Sequence, residues 1–226
     1  FDYAAFIVAL YATFEKFIEN LVVAYARIEA TRVKYDDLPE KLKTKHLHRT
    51  GEMLSRGRFW EGRLANIEKV EAVKNLFNCL SATENYTLND MAISAHDANL
   101  RVGELDALFG AVGIDSMCNK ALNGDAMLEW YRSGSAAPPS VHRVPKITVE
   151  NRLRHIVERR NEVAHRGGNP DDLLGVDEMS KNLQFIGALS ESIFSIVVGK
   201  YFVRHYTKSE QGIELKQKQN LKKGSV

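Results

Sequence analysis

The stretch that decides the fold is residues 147–165, which read ITVENRLRHIVERRNEVAH. Its apolar residues recur at the three- and four-residue spacing of an α-helix and fall within about 60° of one line on a helical projection. These apolar positions are Val149, Leu153, Ile156, Val157, Val163 and Ala164. Arg160 falls at the centre of that line, where a packed helix needs an apolar side chain. Such an arginine is costly unless it is paired or faces a cleft or another subunit, and breaks of this kind are enriched at functional sites.

Long helices with the same periodicity are predicted on both sides of this stretch, over Tyr3–Ala30, Arg63–Leu80 and Asp177–Tyr206. Shorter helices are predicted over Asn99–Val112 and Ala121–Tyr131. Elements of these lengths pack as an antiparallel bundle, so the sequence predicts an all-α fold with additional short helices.

The domain organisation follows from the same pattern. A single helical domain is predicted over residues 1–206, and residues 81–146 form an insertion of short helices and loop within it. Residues 207–226 are polar and rich in lysine, which predicts a solvated and disordered tail.

Two further predictions concern the first half of the chain. Residues 36–62 are polar and glycine-containing, which predicts a solvated connector with one short helix over residues 39–47. The basic cluster around His46 and His48 in this connector is interpreted as solvated, with RNA contact as the alternative. The helix that follows is predicted to turn six apolar residues inward: Leu64, Ile67, Val70, Val73, Leu76 and Phe77.

Composition excludes several classes of protein. A formal net charge of +2 gives no global attraction to nucleic acid, so any RNA-binding surface must be a local patch. The only two cysteines, Cys79 and Cys118, lie far apart, which argues against a disulfide framework and favours the reducing cytoplasm. No uninterrupted apolar run of about 18 residues occurs, so neither a membrane span nor a membrane partner is predicted. No glycine-rich phosphate loop occurs, and no metal or cofactor is predicted.

The end of helix 147–165 carries the residue types that RNA cleavage without a metal requires. Asn161 and His165 are four residues apart and share one edge of the helix. His165 can move protons to and from the ribose 2′-hydroxyl and the leaving oxygen, because imidazole titrates near neutral pH. Arg160 can grip the phosphate through its guanidinium fork, and Asn161 can orient the histidine or donate to phosphate. A single histidine is sparse for this chemistry, and two copies related by a twofold axis would supply two.

A structural interpretation of the same residues stays open at this point. Arg160 can be an ion-pair partner inside the fold, and His165 can satisfy a carbonyl at the helix end. An ideal helix also places Arg160 and His165 about 140° apart. Either the last helical turn is irregular, or each site takes its arginine and its histidine from different subunits.

The stretch Leu153–Gly167 resembles the signature helix of HEPN domains, in which an arginine, often followed by asparagine, precedes a histidine by four to six residues. The first helix, with Tyr11-Ala12-Thr13-Phe14-Glu15, and the segment Asn99–Ile114 resemble the RiboL-PSP or MAE-type HEPN subgroup. The resemblance implies a homodimer, a composite site at its interface and metal-independent endoribonuclease activity. It assigns catalysis to Arg160, Asn161 and His165.

The resemblance also implies a biological setting. Family members act as toxins, as anti-phage effectors or as nucleases that cut tRNA, so an antitoxin or another defence protein is an expected partner. Some HEPN domains have no cleavage activity. The alternative function is therefore a non-catalytic module for dimerisation or for binding a partner protein.

Three residues are predicted to support the site, and one pair is weighed as a separate site. Arg159 and Arg166 flank the motif and are assigned to RNA binding, and Glu15 is a possible supporting acid that pairs with Arg160. His96 beside Asp97 suggests a metal or acid–base pair, but no third ligand has suitable spacing.

Overall fold

The computed structural model describes residues 3–55, 66–81, 85–134, 140–166 and 175–223, without the side chains of residues 66–68, 165–166 and 201–223. Within these ranges every regular element is a helix, and no strand occurs. The α-helices are α1 (Tyr3–Ala30), α2 (Glu40–Ser55), α3 (Asn66–Leu80), α4 (Asp90–Ser94), α5 (Val102–Ala111), α6 (Met117–Ala121), α7 (Asp125–Gly134), α8 (Lys146–Arg166) and α9 (Val176–Lys223), and a 3₁₀ turn covers Tyr35–Asp37. The all-α prediction is confirmed.

The bundle forms around α1, which packs against both α8 and α9. Its buried face follows the helical spacing expected from the sequence, and its largest fully buried side chains are Tyr11, Phe14 and Tyr25. The facing side of α8 buries Val149, Leu153, Ile156 and Val157. Each side chain of this size contributes about 1.5–3 kcal/mol when it leaves water, so the contact between α1 and α8 is a main source of the stability of the fold.

The predicted insertion packs against the same core. Leu100, Leu105, Leu108 and Phe109 are buried in one cluster with the inward side chains of α1, α8 and α9. The chain leaves α5 through Gly113, whose positive φ of 85° favours glycine, a residue common after helix C-termini. The segment that ends in Asn99 and Leu100 is thereby fixed against α1.

Two predictions for the first half of the chain are wrong. The stretch predicted to be a connector contains α2, a full helix of 16 residues, and His46 and Thr50 are its buried positions together with Leu42 and Met53. Because polar residues occupy half of these inward positions, the apolar periodicity was weak there.

The inward face predicted for the next helix is also wrong where the structure describes it, and Leu64 and the side chain of Ile67 lie outside the described residues. Val70, Val73 and Phe77 of α3 are exposed, and Ala72 and Cys79 are buried instead. Ala72 packs in a small buried cluster with Met53 and Ala92, so the inward face is the less hydrophobic one.

Other helix boundaries differ from the predictions. The segment 121–131 belongs to two short helices, α6 and α7, because Leu122–Gly124 interrupts them. The last helix continues to Lys223, past the predicted end near Tyr206. The solvated and disordered state of residues 207–226 stays a prediction. That segment has no proline and many lysine, glutamate and glutamine residues, which favour a helix even without an apolar face. Residues 224–226 lie outside the described residues.

One helical stretch of the described chain, Val176–Lys200 in α9, is long and apolar enough by length and composition to cross a membrane. Its inward residues Phe185, Leu189 and Ile193 are buried in the bundle core, and α9 packs against α1, α6 and α7. A core helix has the same length and composition, so the stretch is weak evidence for a span. The absence of a membrane partner stays a prediction.

A buried asparagine joins α2, α3 and α4. The backbone N–H of Asn89 donates to Nε2 of His46 at 3.0 Å. Its side-chain amide donates to Oγ1 of Thr50 and to the carbonyl of Ala72 at 3.2 and 3.1 Å, and its Oδ1 accepts from Asn75. Burial lowers the pKa of His46 to about 4, because the interior disfavours the charged imidazolium.

This buried histidine predicts a loss of stability in acid. The unfolded chain binds a proton near pH 6.5, whereas folded His46 binds one only near pH 4. Unfolding is therefore favoured as the pH falls between these values, by about 3 kcal/mol in total. We expect His46→Gln, which stays neutral and keeps an acceptor for Asn89, to remove this part of the pH dependence. Urea unfolding of both proteins at pH 7, 5.5 and 4 measures it, and equal pH slopes would contradict the assignment.

Candidate active site

Arg160 lies where α8 faces α1, with its side chain only partly exposed. Its guanidinium carbon is 5.1 Å from the centroid of the Tyr11 ring, which is buried in α1. A guanidinium over an aromatic face is stabilised by the electron-rich ring without losing its charge. The apolar stripe of α8 thus accommodates an arginine because an aromatic ring of α1 receives it.

Two neutral amides hold the same guanidinium. Nη1 of Arg160 donates to Oδ1 of Asn161 at 3.1 Å and to Oδ1 of Asn99 at 3.3 Å. Nδ2 of Asn99 donates in turn to Oδ1 of Asn161 at 3.4 Å. Among the described residues no carboxylate forms an ion pair with Arg160. Its positive charge therefore stays available to an anion from outside the chain.

Tyr11 connects this group to α1 and to the segment before α5. Its hydroxyl donates to Oε1 of Glu15 at 3.1 Å and accepts from the buried backbone N–H of Leu100 at 2.6 Å. Burial, followed by the Glu15 carboxylate, raises the pKa of Tyr11 well above its ordinary value. Tyr11 is thus a neutral phenol that fixes the position of Asn99, the residue next to Leu100.

Tyr11 lies between Glu15 and Arg160 and contacts both. The structure places its carboxylate on the Tyr11 hydroxyl and 3.8 Å from Nε2 of His96, and no ion pair joins it to Arg160 among the described residues. The predicted direct pairing of Glu15 with Arg160 is therefore not formed, since the phenol lies between them.

His96 turns away from its sequence neighbour Asp97. Its Nδ1 contacts the carbonyl of Ala98 at 2.7 Å, and its Nε2 lies 3.4 Å from the carboxylate of Glu19. Asp97 instead forms an ion pair with Arg49 of α2. The His96–Asp97 pair weighed from the sequence is thus not formed. Within the described residues no group of three or more His, Cys, Asp or Glu side chains could hold a metal ion.

The remaining predicted site residues are Arg159, His165 and Arg166. Arg159 forms a partly exposed ion pair with Glu162 at 3.0 Å, on a different side of α8 from Arg160. The side chains of His165 and Arg166 lie outside the described residues, although their backbone belongs to α8. Because α8 is α-helical through Arg166, the positions of Arg160 and His165 differ by about 140° around its axis.

Comparison with protein families gives one match. The family model described as RiboL-PSP-HEPN matches residues 1–199. The chain belongs to this HEPN family. Neither the curated proteins nor the solved structures contain a match to the chain.

HEPN domains are all-α and are generally associated with ribonuclease activity. The HEPN motif Arg160-Asn161 sits at the centre of the hydrogen-bonded group described above, which also contains Tyr11 and Asn99. The sequence placed Asn99 only at the start of a predicted helix and gave Tyr11 no role of its own. The one signal for both was the resemblance of their two segments to HEPN domains, since their contacts join residues about 60 to 90 positions from their partners.

Removing the Tyr11 hydroxyl tests how much this hydroxyl stabilises the structure around Arg160. Tyr11→Phe keeps the ring beneath Arg160 but leaves the buried N–H of Leu100 without its acceptor, so we expect a loss of about 1–3 kcal/mol in the free energy of unfolding. Tyr3→Phe is the matched control, because the Tyr3 hydroxyl is buried in the same helix and has no hydrogen-bond partner among the described residues. Urea unfolding measures both variants. Equal stability of the two would contradict the role of the Tyr11 hydroxyl.

Proposed function

We propose that this HEPN protein is a metal-independent endoribonuclease that acts as a homodimer with composite sites. The observation that carries the proposal is the uncompensated guanidinium of Arg160, held by an aromatic ring and two amides on the HEPN signature helix. A cation fixed in position without a carboxylate partner is suited to the extra negative charge that develops on a phosphoryl group during cleavage.

The regular geometry of α8 supports the composite arrangement. Of the two explanations left open by the sequence, an irregular last turn is not found, because α8 stays α-helical past His165. Side chains that leave one helix about 140° apart point in different directions. A twofold axis resolves this, since it brings Arg160 of one subunit to His165 of the other.

In the proposed reaction His165 removes the proton from the ribose 2′-hydroxyl, and the 2′-oxygen attacks the adjacent phosphorus. The bond from phosphorus to the 5′-oxygen breaks, and the 5′-oxygen takes up a proton. The products are a 2′,3′-cyclic phosphate and a 5′-hydroxyl end. Arg160 stabilises the phosphoryl oxygens, and Asn161, which already contacts Arg160, orients the reacting groups.

The wider role follows from the family resemblance. RNA is the proposed substrate, with Arg159 and Arg166 as flanking contacts, and a toxin or an anti-phage effector in the cytoplasm is the proposed setting. An antitoxin or another defence protein is the proposed partner. No cofactor is part of the proposed reaction.

A cleavage assay tests the activity. We expect the protein to cut single-stranded RNA in the presence of EDTA and to leave cyclic-phosphate ends, because the proposed groups are all side chains. His165→Ala should lower the rate by about 10²-fold or more, the usual contribution of a general acid or base. His142→Ala, which removes an exposed histidine from a loop, is the matched control. Cleavage that is equal in the His165 and His142 variants would refute the assignment.

Subunit complementation tests the composite site separately. Arg160→Ala and His165→Ala are each inactive, but a mixed dimer contains one site that is intact if its arginine and histidine come from different chains. Random exchange of subunits should therefore restore about a quarter of the wild-type activity. Mixing Arg160→Ala with itself is the control. Activity in the wild type without any recovery in the mixture would mean that one arginine and one histidine from different chains do not complete a site.

One observation favours the alternative, a non-catalytic module for dimerisation or partner binding. Four apolar side chains, Val70, Val73, Phe77 and Leu80, lie on one face of α3 and are each at least half exposed. An exposed apolar face of this kind marks protein contact more often than catalysis. A stable dimer with no cleavage of any RNA in the assay above would favour this alternative.

A further inference from the structure

A pocket lies on a different side of α8 from Arg160, between α7, α8 and α9. Its volume is about 870 Å³, within the usual range for small-molecule sites. Its main lining side chains are Trp130, Tyr131, Arg152, His155, Lys181 and Gln184. The wall of this pocket thus combines cations with aromatic rings.

The Arg152 guanidinium, which lines the pocket, has only some of its N–H groups bound to an acceptor. Nη1 is bound by Oε1 of Glu178 at 2.6 Å, but Nε and Nη2 are buried and have no hydrogen-bond partner among the described residues. A buried N–H without an acceptor is unfavourable, and more so when it is charged. The Arg152 side chain keeps 22% of its surface exposed and lines the pocket, so an oxyanion there can approach its positive charge.

The charges around the pocket also favour an anion. Glu178 is bound to Arg152, and Glu162 is bound to Arg159 farther along α8. Lys181, at the rim on α9, is exposed and forms no ion pair among the described residues. Burial, and then the charges of Arg159 and Arg152, lower the pKa of His155, so this histidine is a neutral donor or acceptor near pH 7.

The aromatic side chains of the pocket are fixed by contacts with other rings. Trp130 packs against the buried ring of Phe185 with centroids 5.0 Å apart, and Tyr131 lies 6.4 Å from Trp130. Both rings are only partly buried, so they keep surface for a ligand. Flat aromatic surfaces beside cations are typical of sites where a base stacks and its phosphate is bound.

We propose that this pocket binds one nucleotide unit, with its phosphate at Arg152 and Lys181 and its base against Trp130 and Tyr131. The unit is either a free nucleotide or one residue of an RNA strand. Arg152 precedes Arg160 by eight residues of α8, about 12 Å along the axis and about 80° around it. A strand that reaches Arg160 can therefore also reach the pocket. This second source rests on the proposed ribonuclease function, whereas the first does not.

Binding measurements that need no cleavage test the proposal. The ligands are adenosine 5′-monophosphate, ribose 5-phosphate and a 2′-O-methylated adenosine hexanucleotide, which lacks the attacking hydroxyl and stays intact. Isothermal titration calorimetry at 0.15 M salt limits nonspecific attraction to the phosphates. The matched variants are Lys181→Glu at the pocket and Lys200→Glu, which makes the same charge change at an exposed position of α9 away from the pocket lining.

We expect the monophosphate or the hexanucleotide to bind, and Lys181→Glu to weaken that binding at least tenfold while Lys200→Glu changes it less than twofold. Ribose 5-phosphate should bind at least fivefold more weakly than the monophosphate if the latter binds. Binding of the monophosphate alone identifies a free-nucleotide pocket, and binding of the hexanucleotide identifies a strand subsite.

Three results would overturn the proposal: neither ligand binds, the two charge reversals weaken binding equally, or ribose 5-phosphate binds as tightly as the monophosphate. Because no bond is cleaved in the assay, a failure here is distinct from a failure of the ribonuclease assay.

Discussion

A guanidinium on the inward side of a bundle helix is the constraint on which the site depends. Arg160 takes a place where α8 needs an apolar side chain, and burying a charge there is costly without partners. The fold meets the cost with the face of Tyr11 and with the amide oxygens of Asn99 and Asn161. None of these partners carries a negative charge. The arrangement therefore positions the cation without neutralising it, as a site for a phosphate requires.

Contacts of α1 and of the segment before α5 position the partners of Arg160. Tyr11 can lie beneath Arg160 because α1 packs directly on α8. Asn99 reaches the guanidinium because the N–H of the next residue, Leu100, is bound to the Tyr11 hydroxyl. Glu15 accepts from that hydroxyl and approaches His96. A chain of contacts thus extends from the partly buried His96 through Glu15 and Tyr11 to Asn99 and Arg160, and each member limits the positions open to the next.

The same helix presents three sides with different uses. The inward side carries the apolar core residues and Arg160. The edge with Asn161 and His165 is the one proposed to meet a second subunit, and the side with Arg152 and His155 lines the proposed nucleotide pocket. Since neighbouring sides of a helix are separated by only one or two residues in sequence, one 21-residue helix can carry core residues, the proposed cleavage site and the proposed nucleotide pocket.

The sequence by itself determined the helical class, the long helices and the position of the motif, because these depend on periodicity within one segment. It also located Arg160 as the break in an apolar stripe. It missed α2, since His46 and Thr50 occupy inward positions that only a hydrogen-bonded core makes acceptable. It could not assign Asn99, because that role exists only where a distant segment meets α8. Contacts between residues far apart in sequence were decided by the tertiary structure alone, since packing selects one of many helix arrangements that satisfy the same local pattern.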